Sequence, residues 1–127
     1  DSQLDQKLKE WQAKMAKARG AKVIDYHREL TYFANRFGLK VVGYVEPKPG
    51  VPPTPSHTQD LIQLVRNQKV KAIVMEQWYN QSTPQLIQRE TGMPYVVIPT
   101  SVGGEPGVDT YFELFDRIIA KLAPVLS

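Results

Sequence analysis

The sequence contains no cysteine, only two histidines and no long apolar run. The lack of cysteine excludes disulfide frameworks and thiolate metal sites. The longest strongly apolar segments, residues 41–45 and 95–99, have the length of strands, whereas a membrane-spanning helix needs roughly 20 apolar residues. The sequence also has no secretory leader, which fits a cytosolic protein and equally a mature or truncated exported one.

A strong excess of one charge is also lacking over most of the chain. The 16 Lys and Arg against 13 Asp and Glu give a net charge of +3, but residues 1–19 hold five basic residues and only three acidic ones. A charge of only +1 remains for the other residues, which is too little for a nucleic-acid-binding surface. We therefore expect no nucleic-acid partner. Apolar residues make up 42% of the chain, enough for one ordered domain.

Apolar residues in the first segment have helical spacing. Leu4, Leu8, Trp11 and Met15 follow one another at steps of four, three and four, which places them on one face of a helix over residues 2–18. Gly20 then supplies a stop signal, because glycine readily adopts the left-handed conformation that ends helices.

From Lys22 onward, short β-branched runs alternate with amphipathic stretches. The predicted strands are 22–26, 40–45, 71–75 and 95–99, and the predicted helices are 28–37, 58–67, 83–91 and 109–123. Strands that are this short and almost continuously apolar favour a parallel sheet covered on both faces. We therefore predict an α/β fold, an open parallel four-stranded sheet with helices on both faces and strand order 2-1-3-4, preceded by the N-terminal helix.

The residues that directly follow the strands are the candidates for a binding site, because ligands of open parallel sheets bind beyond the carboxyl ends of the strands. They are His27, Glu46, Glu76, Thr100 and Ser101. We expect His27 to open the helix after the first strand, where it serves either as a hydrogen-bonding residue or as a ligand. Glu76 is interpreted either as a carboxylate at a helix N-terminus, or as a ligand or a group that orients a ligand.

Two loops and the second histidine complete the set of candidate features. The segment 46–55 holds five prolines, so we expect Ser56 or Thr58 to cap the next helix and His57 to be a solvated residue of its first turn. The Gly-rich segment 100–107 should be mobile and matches no phosphate-binding fingerprint. Because 29 residues separate the two histidines, they form no close pair of metal ligands. Any metal would need ligands from elsewhere.

Several short segments of the sequence are informative through their residues and through their order along the chain. They are residues 23–27, 32–34, 37–39, 55–56, 70–73 leading to Glu76, 90–92, and Tyr111 in the last helix. In this order they resemble the C-terminal lobe of the solute-binding proteins of zinc and manganese ABC importers, and residues 4–11 resemble the end of the long helix that joins the two lobes. The resemblance implies that residues 1–20 are a remnant of this linking helix and that residues 21–127 are the C-terminal α/β metal-binding lobe.

The resemblance also implies a site. Members of the family bind the ion between two lobes, with two histidines from the first lobe, a His or Glu at the position of His27, and often an Asp after the fourth strand, where this chain has Thr100. His27 is the ligand carried over, and Glu76 is a candidate ligand or a carboxylate that orients the imidazole. Imidazole ligands suit zinc, with manganese as the alternative.

The implied protein delivers its ion to an ABC permease from a periplasmic or extracytoplasmic location and catalyses no reaction. With the N-terminal lobe missing, we expect the domain to fold without metal and to bind zinc weakly. The first helix would then lack its packing partner, and two copies could associate through it as a dimer.

Two alternatives of other classes remain open. A freestanding flavodoxin-like module would bind a small anion or nucleotide at the strand ends, with residues 103–107 as its cradle. A lobe kept for protein contacts would expose Trp78 or Tyr79, which are adjacent, so that one packs and the other lines a surface. A response regulator fits less well, because it needs acidic residues after strand one and a lysine after strand four, where this chain has His27 and Thr100.

Overall fold

The computed structural model describes residues 2–28, 30–48, 50–99, 101–104, 106–107 and 109–127. Strands and helices alternate along the chain in the order α1 (Ser2–Lys14), a 3-10 turn (Ala16–Ala18), β1 (Lys22–Asp25), α2 (Thr31–Phe37), β2 (Lys40–Tyr44), α3 (Pro55–Gln68), β3 (Ala72–Glu76), α4 (Ser82–Thr91), β4 (Tyr95–Ile98) and α5 (Tyr111–Leu126). No helix in these ranges combines the length and the apolar character needed to cross a membrane.

The strands form one parallel sheet in the order β2-β1-β3-β4, which confirms the predicted fold class and strand order. Each face of the sheet is covered by helices. Alternate residues of β1 point to opposite faces, so that Val23 packs with α1, α2 and α5 while Ile24 packs with α3 and α4. This two-sided burial explains why the strands are apolar at almost every position.

The register between β1 and β2 shifts once. Val23 lies opposite Val41, but the next residue, Ile24, lies opposite Gly43. One residue of β2 is therefore extra at this point, which is the arrangement of a β-bulge. The pairing continues past the ends of the strands, since the amide of Glu46 donates to the carbonyl of Tyr26 at 3.0 Å.

The apolar stripe of α1 has a partner within the chain. Trp11 and Met15 are almost completely buried, and the indole of Trp11 makes edge contacts with Phe112 and Phe115 of α5 at centroid distances of 6.1 and 5.0 Å. Trp11 and Met15 of the stripe therefore pack within the chain, whereas Leu4 stays exposed, and a dimer through this helix stays a prediction. The division of the chain at residue 20 stays a prediction.

The start of α3 differs from the prediction that Ser56 or Thr58 caps it. Thr54 is the cap, and its side-chain oxygen accepts the backbone N–H of His57 at 3.1 Å. Pro55 occupies the first helical position, where its missing N–H costs nothing and its fixed φ suits a helix. The proline-rich segment therefore leads directly into α3, and its last proline is the first residue of the helix.

Acid should destabilise the contact between α1 and α5. Asp116 accepts hydrogen bonds from the Trp11 indole at 2.8 Å and the Lys7 ammonium at 3.0 Å. Partial burial alone would raise the pKa of Asp116, but these two hydrogen bonds and the positive charges outweigh it and hold the pKa below the ordinary value of 3.8. The ionised carboxylate therefore stabilises the fold above that ordinary value, and this contribution is lost as the pH falls through the lowered pKa.

The measurement is urea unfolding at a series of pH values below 5. We expect Asp116→Asn, which keeps an acceptor for Trp11, to flatten the loss of stability in acid relative to the unchanged chain. Identical acid profiles for the two proteins would contradict a stabilising Asp116 carboxylate.

Candidate metal centre

His27 lies in the connection between β1 and α2, at the carboxyl edge of the sheet, by which we mean the edge formed by the connections that follow β1 to β4. The prediction that it opens a helix is wrong, because α2 begins only at Thr31. The carboxylate of Asp25, buried at the end of β1, accepts the backbone N–H of Leu30 at 2.9 Å. This hydrogen bond ties the two ends of the connection together and leaves His27 between them.

The imidazole of His27 contacts a carboxylate from the neighbouring strand. Its Nε2 atom lies 3.2 Å from Oε1 of Glu46, which follows the end of β2. Both side chains are mostly buried, with 14% and 17% of their surface exposed. The carboxyl edge therefore joins an imidazole and a carboxylate in a partly dehydrated setting, and both are groups of the types that bind divalent cations.

Tyr26 holds the second oxygen of Glu46. The Tyr26 hydroxyl donates to Oε2 of Glu46 at 3.1 Å. Burial, followed by the nearby Glu46 carboxylate, raises the pKa of Tyr26 to about 12, so the hydroxyl keeps its proton at neutral pH. Glu46 thus has one oxygen bound to a donor and one oxygen directed at His27.

Aromatic rings close the other side of this arrangement. Tyr79, from the connection after β3, stacks on Tyr26 with centroids 4.5 Å apart, and its ring lies 5.5 Å from that of His27. Its neighbour Trp78 is exposed. The expectation that one of these two aromatics packs while the other lines a surface is confirmed.

Glu76 lies at the same edge, as the last residue of β3, and it is buried. Alternation along the strand turns it to the same face as Val74, the face of α1, α2 and α5. Because α4 begins at Ser82, Glu76 is not at a helix N-terminus. The carboxylate in contact with His27 is that of Glu46, and the roles of Glu76 as a ligand or an orienting group stay predictions.

The other candidates do not join this cluster. His57 does belong to the first turn of α3, but it is half-buried rather than solvated, because its Nε2 atom lies 2.6 Å from the carbonyl oxygen of Tyr44. Ser101 is exposed, and its carbonyl accepts the amide of Gly104 at 3.0 Å. Thr100, the position compared with a family aspartate, lies outside the described residues.

The metal-binding groups of the described ranges are too few for a complete site. Within those ranges, no three His, Asp or Glu side chains lie close enough to hold one ion. His27 and Glu46 are two groups of the types that can bind zinc, whereas a tight zinc site needs three or four ligands. A metal ion bound at this edge would need further ligands from outside this set of residues, as the sequence predicts.

Exposed apolar side chains gather around the same edge. Of the six large apolar side chains exposed in the described part of the chain, five lie in the connections after the strands or in the first turns of the helices that follow. They are Tyr32, Val51, Trp78, Val102 and Tyr111. An apolar groove of about 270 Å³ opens between Tyr32 and Tyr111. Tyr32 and Tyr111 thus border a common apolar groove, a feature found at surfaces that bind a ligand or another protein.

Comparison with known families and structures identifies similar proteins. The family model described as zinc-uptake complex component A, periplasmic, matches residues 1–125. A comparison with curated proteins found no match.

Several solved structures have the same fold. The laminin-binding protein Lmb of Streptococcus agalactiae, described as bifunctional with adhesin and metal transporting activity, is 25% identical with a TM-score of 0.81, covering 99% of this chain and 49% of Lmb. FpvC of Pseudomonas aeruginosa, solved in complex with Mn²⁺, is 23% identical with a TM-score of 0.69, covering 95% of this chain and 46% of FpvC. A ZnuA structure is 17% identical with a TM-score of 0.80, covering 99% of this chain and 45% of ZnuA.

The chain therefore spans about half the length of these solved structures. The resemblance noted in the sequence is confirmed by the family match over almost the whole chain. The chain belongs to the family of periplasmic zinc-uptake components, the metal-binding solute-binding proteins of ABC transporters.

Proposed function

We propose that this chain is the C-terminal lobe of a two-lobed solute-binding protein and that His27 is one of the ligands that hold zinc for an ABC importer. The observation that carries the proposal is the position of His27 at the carboxyl edge of β1, one of the two inner strands, next to Glu46. Ligands of open parallel sheets bind at this edge, where strand order reverses between β1 and its two neighbours. The neutral imidazole supplies a nitrogen donor there.

Zinc fits this donor set better than manganese. Imidazole is a preferred ligand of zinc, whereas manganese prefers carboxylate, carbonyl and water oxygens. His27 contributes a nitrogen, and the family description names zinc uptake. Manganese remains the alternative ion, since similar proteins such as FpvC have been solved with Mn²⁺.

The remaining ligands would come from an N-terminal lobe that covers the carboxyl edge. Two features support this partner: the five exposed apolar side chains at that edge, and the match to only about half of each similar structure. Residues 1–20 would then be the end of a helix linking the lobes, and residues 21–127 the lobe itself. The whole protein would work outside the cytoplasm, deliver its ion to an ABC permease and carry out no chemistry on it.

The test is a zinc titration of the chain monitored by NMR of the two imidazole rings. We expect the His27 ring signals to shift at millimolar zinc, because an imidazole without the ligands of the other lobe holds the ion weakly. His57 is the internal control, since its Nε2 atom is already engaged with the Tyr44 carbonyl. A response from neither ring, or from His57 alone, would contradict the proposal. A response to inorganic phosphate centred on residues 101–104 would favour an anion-binding module instead.

A further inference from the structure

We propose that Glu46 is itself a zinc ligand, so that this lobe contributes a His27–Glu46 pair rather than one imidazole. The proposal rests on the proposed function and deepens it by naming a second donor. His27 lies in the connection after β1, and Glu46 lies in the connection after β2. Their side chains are therefore brought into contact by the folding of the chain.

The distance between the two donor atoms suits one shared ion. Two ligands that each lie about 2.0–2.1 Å from a tetrahedral zinc ion are about 3.3–3.4 Å from each other. In the structure, Nε2 of His27 and Oε1 of Glu46 are 3.2 Å apart. The separation of the two donor atoms therefore matches that of two ligands of one zinc ion.

The surroundings hold Glu46 in the orientation that a ligand needs. Its Oε2 atom accepts the Tyr26 hydroxyl, and the Tyr26 ring is itself buried and stacked on Tyr79. Carboxylates that bind metal are commonly fixed in this way by a hydrogen bond to the oxygen that does not face the ion. Oε1 is left facing the imidazole at the partly exposed mouth of the cluster.

A second arrangement would use the same contact differently. Glu46 could accept a proton-bearing Nε2 of His27 and thereby orient the ring, in which case the ion must bind at Nδ1. The two arrangements therefore place zinc on different nitrogens of the same ring. The nitrogen that carries zinc therefore distinguishes Glu46 as a ligand from Glu46 as the group that orients the ring.

The experiment records two-bond ¹H–¹⁵N correlations of the imidazole rings in the full chain during titration with zinc chloride. We expect Nε2 of His27 to become zinc-bound while Nδ1 keeps its proton. Zinc on Nδ1 with a protonated Nε2 would overturn the role of Glu46 as a ligand and leave His27 as one. Absence of any His27 response would instead overturn the proposed function, so the two failures are distinguishable.

Variants provide the second measurement. Glu46→Gln keeps the size of the side chain and an acceptor for Tyr26 but removes the charge, and we expect zinc to bind at least tenfold more weakly. Glu90→Gln is the matched control, because Glu90 is an exposed glutamate on α4 whose carboxylate lies 4.0 Å from Arg66. Equal zinc affinity of Glu46→Gln and the control would overturn the proposal. Circular dichroism of both variants, compared at the same temperature, checks that they are folded.

Discussion

Trp11→Ala is expected to lower the free energy of unfolding by about 3–5 kcal/mol, the usual cost of removing a large buried aromatic side chain. Trp11 joins α1 to the rest of the chain through its contacts with Phe112 and Phe115, and its indole N–H donates to Asp116. The substitution leaves a cavity on the α5 side of the sheet and an acceptor without its donor. Both effects act in the same direction.

Urea unfolding followed by far-ultraviolet circular dichroism measures this effect without relying on tryptophan fluorescence. Trp78→Ala is the matched control, because Trp78 is exposed and its removal should change stability by no more than about 0.5 kcal/mol. Trp11→Phe should fall between the two, since it keeps an aromatic ring but loses the N–H donor. A loss below about 1 kcal/mol for Trp11→Ala would mean that α1 is not an integral part of this fold.

Tyr26→Ala should be nearly as damaging, with an expected loss of about 3–4 kcal/mol. The ring is buried between the sheet and Tyr79, and its hydroxyl satisfies one oxygen of Glu46. Removing the ring leaves a cavity beneath the candidate metal centre and frees the Glu46 carboxylate. The effect on stability should therefore be accompanied by weaker zinc binding.

Tyr26→Phe separates these two contributions. It keeps the stacked ring and removes only the hydroxyl, so its stability loss should be about 1 kcal/mol, the net value of one hydrogen bond. Urea unfolding measures the stability difference, and the zinc titration measures the effect on the site. Equal stability losses for the two variants would show that the ring contributes little and would contradict the packing described for Tyr26.

The fold could be predicted from the sequence because its main signal is a repeated one. Each strand is a short apolar run, each helix carries an apolar stripe, and alternation of the two permits few parallel topologies. The ends of the elements were less predictable. The start of α2 depends on the Asp25 carboxylate capturing the Leu30 amide, and β3 extends to Glu76 because that residue pairs with Ile98. Neither interaction produces a periodic pattern of residues in the sequence.

The candidate site was predictable only in part. His27 could be identified from its position after the first strand and from the resemblance to a known family. Glu46 was among the strand-end residues, but nothing in the sequence favoured it over Glu76 as the carboxylate beside the imidazole. Which of the two carboxylates contacts the imidazole depends on the distance between side chains that follow different strands. That distance is set by packing and cannot be read from the composition.

The bulge between β1 and β2 determines which residue after the end of β2 lies beside His27. Before the shift, each β1 residue lies opposite the residue 18 positions further along the chain, as Val23 does with Val41; after it the offset is 19, as Ile24 with Gly43. The earlier offset, carried through to the end of the strand, would place Val45 beside the imidazole; the later one places Glu46 there. An ungapped comparison of the two strands would therefore assign an aliphatic neighbour to His27 and conceal the carboxylate.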